Sequence, residues 1–333
     1  MDVRSRASMP LAERYRDRLP IDASTPIVSL GEGSTPLLHA ARLSQRLGIE
    51  LWLKFDGANP TGSFKDRGMT IAVSKALQEG VRAVICASTG NTAASAAAYA
   101  ARAGLTAAVL HPAGAIASGK LAQSQALGAR VLAVRGSFDE ALRAAQELAE
   151  RGQFALVNSV NPYRIEGQKT AAFEIVDELG GAPELLALPY GGGGNTTAYA
   201  KGFVEAGVGL PQLLCVQAEH RATTRASAIR IAEPVHAHEV ADALELCGGT
   251  IATVSDEAIL AAWKELAHAE GLFCEPASAA GIAGLIANPP PAGTPVVCVV
   301  TGHGLKDPEI AAELSPEPIP VDADPDAIAA AAS

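Results

Sequence analysis

The stretch AVICASTGNTAASAAAYAARAGLTAAVL, residues 83–110, decides the fold. Residues 83–87 are a short apolar run with two β-branched side chains, Val84 and Ile85, and a Ser-Thr-Gly turn closes it. An Ala-rich segment follows over 92–103. Alanine is the strongest helix former, and Gly104 supplies the stop. Residues 107–110 then resume an apolar run. Strand, helix and strand in succession predict a parallel sheet covered by helices. Arg102 interrupts the Ala-rich segment, which reads as a packed helix and not a membrane span.

The alternation continues outward. Candidate strands are 51–55, 131–134, 154–157, 185–188, 213–218 and 296–300. Candidate helices are 118–127, 139–151, 167–179 and 256–270. The strands are short, apolar and bounded by Gly, Pro, Asn or Ser. No internal repeat breaks the pattern. Residues 1–25 read as a peripheral helix and a Pro-bounded lead-in. The Pro-rich piece 288–291 reads as a loop before the last strand. From about 312 the chain is rich in Pro, Asp and Ala, and a surface or disordered tail is expected. A chain of 333 residues is long enough for two domains.

Composition limits the partners. The formal net charge is −10, which argues against broad nucleic-acid binding. A local site can still be positive on an acidic protein. Cys86, Cys215, Cys247, Cys274 and Cys298 are scattered and form no CxxC pair, so buried free thiols in a reducing compartment are expected. No metal-ligand cluster stands out among the seven histidines. MDVRSRASMP lacks the apolar core of a signal peptide, and no apolar run reaches the ~18 residues of a membrane span. A soluble, cytoplasmic protein is expected.

Five segments carry polar chemistry. In NPTGSFKDRGM (59–69) a turn precedes a helix starting near Ser63, which puts Lys65 in the first helical turn. The positive end of a helix disfavours a cation and favours a neutral, nucleophilic amine. The alternative is a surface lysine paired with Asp66. ASTGNTAAS (87–95) places backbone N–H groups, hydroxyls and Asn91 at a helix start, suited to a carboxylate or phosphate. A plain helix cap at Asn91 or Thr92 is the alternative. LPYGGGGNTTA (188–198) sets Gly191, Gly192, Gly193 and Gly194 between a strand and a helix. Glycines let a backbone wrap an anion at the carboxyl end of a strand. The run matches neither GxGxxG nor GxxxxGK[ST], so no dinucleotide or nucleoside triphosphate is indicated. NSVNPYRIEGQKT (158–170) offers Asn158, Ser159 and Arg164; Arg164 can fork onto a phosphate or pair with Glu166. VVTGHGLKDP (299–308) ends a strand at Thr301, whose hydroxyl can meet a heterocyclic nitrogen, and His303 reads as a turn residue.

Together these segments resemble the threonine synthase family, within the fold type II group of pyridoxal-phosphate enzymes. GEGSTPL (31–37), NPTGSFKDRGM, ASTGNTAAS, NPYRIEGQKTAAFEI (161–175), GLFCEPASAAGIAGL (271–285) and TGHGLKDP (301–308) follow the family's order. The resemblance covers about residues 25–310. It implies two parallel-sheet α/β domains with pyridoxal 5'-phosphate in the cleft. The larger domain would comprise 1–65 and 159–333, with the smaller, 66–158, inserted. Lys65 would hold the cofactor as a Schiff base, with Phe64 packed near it. Asn91 would bond the ring 3-hydroxyl and Thr301 the ring nitrogen. Gly191 to Gly194, Asn195 and Thr196 would hold the cofactor phosphate. Ser88, Thr89, Asn158, Ser159 and Arg164 would hold the substrate's carboxylate and phosphate.

The implied reaction converts O-phospho-L-homoserine and water to L-threonine and phosphate, in a homodimer. Three places depart from the family pattern: Gly192 stands where an Asn is common, Ala115 replaces a frequent lysine, and Ala232-Glu233 replaces a usual Gly-Asn. These leave open a threonine/serine dehydratase or a paralogue acting on another γ-substituted amino acid. A catalytically silent binding protein is disfavoured by the intact Lys65.

Overall fold

The computed structural model describes residues 9–113 and 119–332. Its strands are β1 (Leu37–His39), β2 (Glu50–Phe55), β3 (Ala83–Ala87), β4 (Thr106–Pro112), β5 (Arg130–Val134), β6 (Ala155–Leu156), β7 (Leu185–Pro189), β8 (Gln212–Ala218), β9 (Thr250–Val254) and β10 (Pro295–Val300). They form a six-stranded sheet, β1-β2-β10-β7-β8-β9, and a four-stranded sheet, β5-β4-β3-β6. Among the described strands, only β1 and β2 pair antiparallel.

Burial on both faces explains the sequence of the central strands. In β10, Val296, Cys298 and Val300 pack into one core with Leu51, Leu53 and Ile282. Val297 and Val299 face the opposite core with Leu186, Leu188 and Phe203. In the smaller sheet Val84 and Cys86 face one core, and Ile85 and Ala87 the other. All five cysteines are buried and free.

Four expectations change. Strands β1 and β9 escape sequence reading because both lie at sheet edges, where they are largely exposed and show no continuous apolar run. The candidate helix over 167–179 is two helices, Pro162–Gln168 and Thr170–Leu179, meeting at Lys169. The helix expected from Thr92 starts at Asn91, with Gly90 at the capping position. The early segment is not peripheral: Leu11, Ala12, Tyr15 and Leu19 are buried against Ile71 and Phe173. After 312 the chain does lie on the surface, and the helix Pro325–Ala332 buries none of its residues.

One close crossing positions the site. The helices Lys65–Gln78 and Pro162–Gln168 meet backbone to backbone at two glycines. A Cβ on Gly68 would lie 2.6 Å from the Arg164 carbonyl oxygen, and one on Gly167 would lie 2.0 Å from that of Arg67. Only glycine permits this approach. Beside the crossing, buried Arg67 pairs with Asp56 at 2.9 Å and Glu174 at 2.7 Å, and Lys54 reaches Glu174 at 3.0 Å. Each buried charge here has a partner, the condition under which such groups are tolerated.

Candidate active site

Lys65 opens its helix, and the turn before it is stapled to the end of β10. Ser63 bridges Gly302. The Phe64 N–H donates to Thr301 O at 3.0 Å, and the His303 N–H donates to Gly62 O at 2.9 Å. Two motifs distant in sequence thus become one surface. Asp66 is not the partner of Lys65: its carboxylate accepts from the Thr61 N–H (2.7 Å), the Thr61 hydroxyl (2.6 Å) and Ser95 (2.6 Å). The Lys65 Nζ lies 4.2 Å from the Phe64 ring centroid. Burial, reinforced by Arg164, pushes the Lys65 amine down to about 7, against an opposing pull from Glu275. A large neutral fraction at neutral pH is what a nucleophilic amine needs.

The glycine run after β7 forms a cradle. Arg221 donates to the Gly191 carbonyl at 2.6 Å, and the His236 N–H donates to the Gly192 carbonyl at 3.0 Å. A planar trans peptide sends its C=O and N–H in opposite directions. Holding these two carbonyls therefore turns the Gly192 and Gly193 N–H groups the other way. Among the described residues no acceptor meets the N–H of Gly191, Gly192 or Gly193. The helix Gly194–Ala206 starts here and adds its positive end. The Asn195 Nδ2 is buried without a partner, while Thr196 Oγ1 sits 3.5 Å from Cys215 Sγ. Unpartnered donors converging on a helix start suit a phosphate, so the residues present fit the cofactor named by the resemblance.

Gly193 is the glycine the cradle cannot replace. Its φ is +91°, and a Cβ would lie 2.8 Å from Val240 Cγ2. Gly193→Val is expected to weaken pyridoxal phosphate binding by more than about tenfold in an absorbance titration, from strain and blocked approach. At Gly192 a Cβ would lie 3.3 Å from Ile231 Cδ1, a flexible side-chain end. Gly192→Asn is expected to leave affinity equal or tighter.

The remaining candidates lie past the ends of β3, β6 and β10. Ser88 and Thr89 are half-buried past the end of β3, and Ser88 Oγ accepts the Gly90 N–H at 3.2 Å. The Asn91 amide donates to both Glu275 oxygens at 3.1 Å. Asn158 exchanges two bonds with the Ala87 backbone, at 3.0 and 2.9 Å, so its amide is committed there and sets the path of Ser159. Thr301 Oγ1 meets Ser278 Oγ at 2.8 Å. His303 accepts the Leu305 N–H, as a turn residue does.

Arg164 departs from the surface-pair alternative. It is fully buried, and Glu166 instead faces Lys169 and Lys201. One Arg164 nitrogen donates to Val157 O at 2.8 Å, while Nε and Nη2 have no partner. Burial pushes its pKa down to about 10, against the pull of Cys86 and Asp66. A buried guanidinium with two free nitrogens is a ready anion binder. Ala115 lies outside the described residues.

Sequence reading missed Glu275 and His236. Glu275 is buried; desolvation pushes its carboxyl up to about 7, against Asn91, Lys306 and Lys65. A lone carboxylate inside the apolar run 271–285 was the available signal. His236 carried none, since its partners come from other loops.

Among the described residues no group could hold a metal ion, and no helix is long and apolar enough to cross a membrane. The pyridoxal-phosphate dependent enzyme family matches residues 28–302. Threonine synthase of Halalkalibacterium halodurans is 51% identical over 90% of this chain and 90% of its own. Threonine synthase of Synechocystis sp. is 50% identical over 95% of this chain and 88% of its own. Threonine synthase of Mycobacterium tuberculosis is 51% identical over 94% of this chain and 93% of its own. Maize serine racemase shares the fold, with TM-score 0.73 and 18% identity over 84% of this chain and 91% of its own. Threonine deaminase isoform 2 of Solanum lycopersicum does so with TM-score 0.75 and 23% identity over 94% of this chain and 88% of its own.

Proposed function

The chain belongs to the threonine synthase family of pyridoxal-phosphate dependent enzymes, and we propose that it converts O-phospho-L-homoserine and water to L-threonine and phosphate. The observation that carries the substrate class is Arg164, buried beside Lys65 with two nitrogens unpartnered. A dehydratase acting on serine or threonine has no substrate phosphate to occupy such a group.

Pyridoxal phosphate, when bound, supplies an electron sink for negative charge at the substrate Cα. Its phosphate would sit on Gly191 to Gly194, Asn195 and Thr196. Its 3-hydroxyl would meet Asn91, and its ring nitrogen Thr301. Lys65 Nζ would bind the cofactor aldehyde and then take up and return protons at substrate carbon. Ser88 and Thr89 would hold the substrate carboxylate at the start of the helix Asn91–Ala103. Arg164 and Ser159 would hold the substrate phosphate. As phosphate leaves Cγ its charge grows, and donors already fixed there stabilise it without reorganising. Water then adds at Cβ. The reading places the lobe boundaries at 65/66 and 158/159, next to Lys65 and Ser159, and includes a cytoplasmic homodimer.

The Lys65 chemistry has a pH signature. The amine is nucleophilic only when neutral, so capture of pyridoxal phosphate by the cofactor-free protein should speed up as pH rises through about 7 and level off above. Stopped-flow absorbance from pH 6 to 9 measures it, and a rate still climbing steeply at pH 9 would mean an unperturbed lysine. Equal turnover of serine, threonine and phosphohomoserine would favour the dehydratase reading instead.

A further inference from the structure

We propose that His236 is a positioning residue that holds the two phosphate-binding loops, Gly191–Gly194 and Ser159–Arg164, at one spacing. The inference rests on reading both loops as phosphate sites. His236 is buried, 8% exposed, at the start of the helix Ala237–Cys247. It spends one donor on each loop. Its backbone N–H bonds the Gly192 carbonyl at 3.0 Å, and its ring Nε2 lies 3.0 Å from the Ser159 carbonyl. A carbonyl only accepts, so Nε2 carries the proton. The other ring nitrogen lies 3.5 Å from the Glu239 carboxylate.

Each bond aims a free donor. The Gly192 carbonyl shares a rigid peptide plane with the Gly193 N–H, and the Ser159 carbonyl shares one with the Val160 N–H. Among the described residues neither N–H has an acceptor. Holding one carbonyl by its backbone and the other by its ring, His236 turns both N–H groups away from itself. The His236 side chain also backs the glycine run: a Cβ on Gly193 would lie 3.0 Å from His236 Cβ, and one on Gly194 would lie 3.4 Å from the ring Cδ2. Gly192 has no side chain with which to anchor the loop, and glycine loses the most backbone freedom on ordering. His236 provides the missing restraint. Ordering either loop then lowers the entropic cost of ordering the other, so the two phosphates bind with positive coupling.

The test compares wild-type protein with His236→Ala and His236→Gln. Pyridoxal phosphate is titrated into cofactor-free protein by visible absorbance, and inorganic phosphate into the holoenzyme by calorimetry. His236→Ala should weaken both affinities by about three- to tenfold, the loss of one positioning hydrogen bond, with an unchanged melting temperature. His236→Gln, which keeps a side-chain N–H donor, should recover most of both. For the synthase reaction, the alanine variant should raise KM more than it lowers kcat. The proposal is overturned if one affinity alone falls, if neither falls, if glutamine restores nothing, or if the melting temperature falls with both. Wild-type protein that binds the cofactor but makes no threonine would sink the proposed activity, and the two titrations would still decide His236.

Discussion

Lys65→Ala is expected to abolish turnover, by a factor on the order of 10⁴ or more, because one side chain both binds the cofactor and moves the protons. The fold should survive. Lys65 has no ion pair among the described residues, and desolvation already disfavours its charge. Losing it therefore costs no buried partner, and the melting temperature of the cofactor-free protein should hold or rise slightly. Two measurements separate this from general damage. Wild-type protein should turn yellow with pyridoxal phosphate, and borohydride should fix the pyridoxyl group on Lys65. The variant should show neither signal. A label on another lysine would contradict the assignment.

Arg164→Ala should lower kcat/KM for phosphohomoserine by about 2–4 kcal/mol, the cost of losing a charge-assisted contact in a closed site. Pyridoxal phosphate binding should persist. Arg164→Lys should not rescue, since an ammonium is a single point charge and cannot present two nitrogens in one plane. The packing at Gly68 makes this strict: a Cβ there would lie only 2.6 Å from the Arg164 Nε, so the side chain runs close against the Gly68 backbone and has little freedom to re-aim. Loss of cofactor with substrate affinity intact would mean that the two phosphate sites are exchanged.

The parallel sheets were legible because buried strands and Ala-rich helices announce themselves locally. Val296 to Val300 read as a strand for the same reason that they are buried on both faces. Lys65 was legible because its place at a helix start is a local property. Edge strand β9 was not, since Thr250 and Thr253 interrupt its apolar residues. Nor was the break at Lys169, where the neighbours of the two helices decide the geometry. Arg164 was named from sequence, yet its burial depends on a glycine crossing between helices remote in sequence. Glu275 and His236 escaped for a similar reason. Glu275 acquires meaning from Asn91, remote in sequence, and His236 from two carbonyls on separate segments. Local patterns report elements; a titratable group's role comes from partners that only the folded chain assembles.

Incubating the purified holoenzyme with O-phospho-L-homoserine, and assaying inorganic phosphate and threonine in the same sample, tests the central claim most directly. The account predicts equal amounts of phosphate and L-threonine, with both lost in Lys65→Ala. Phosphate released with 2-oxobutyrate and ammonia in place of threonine would contradict it, as would no release of phosphate at all.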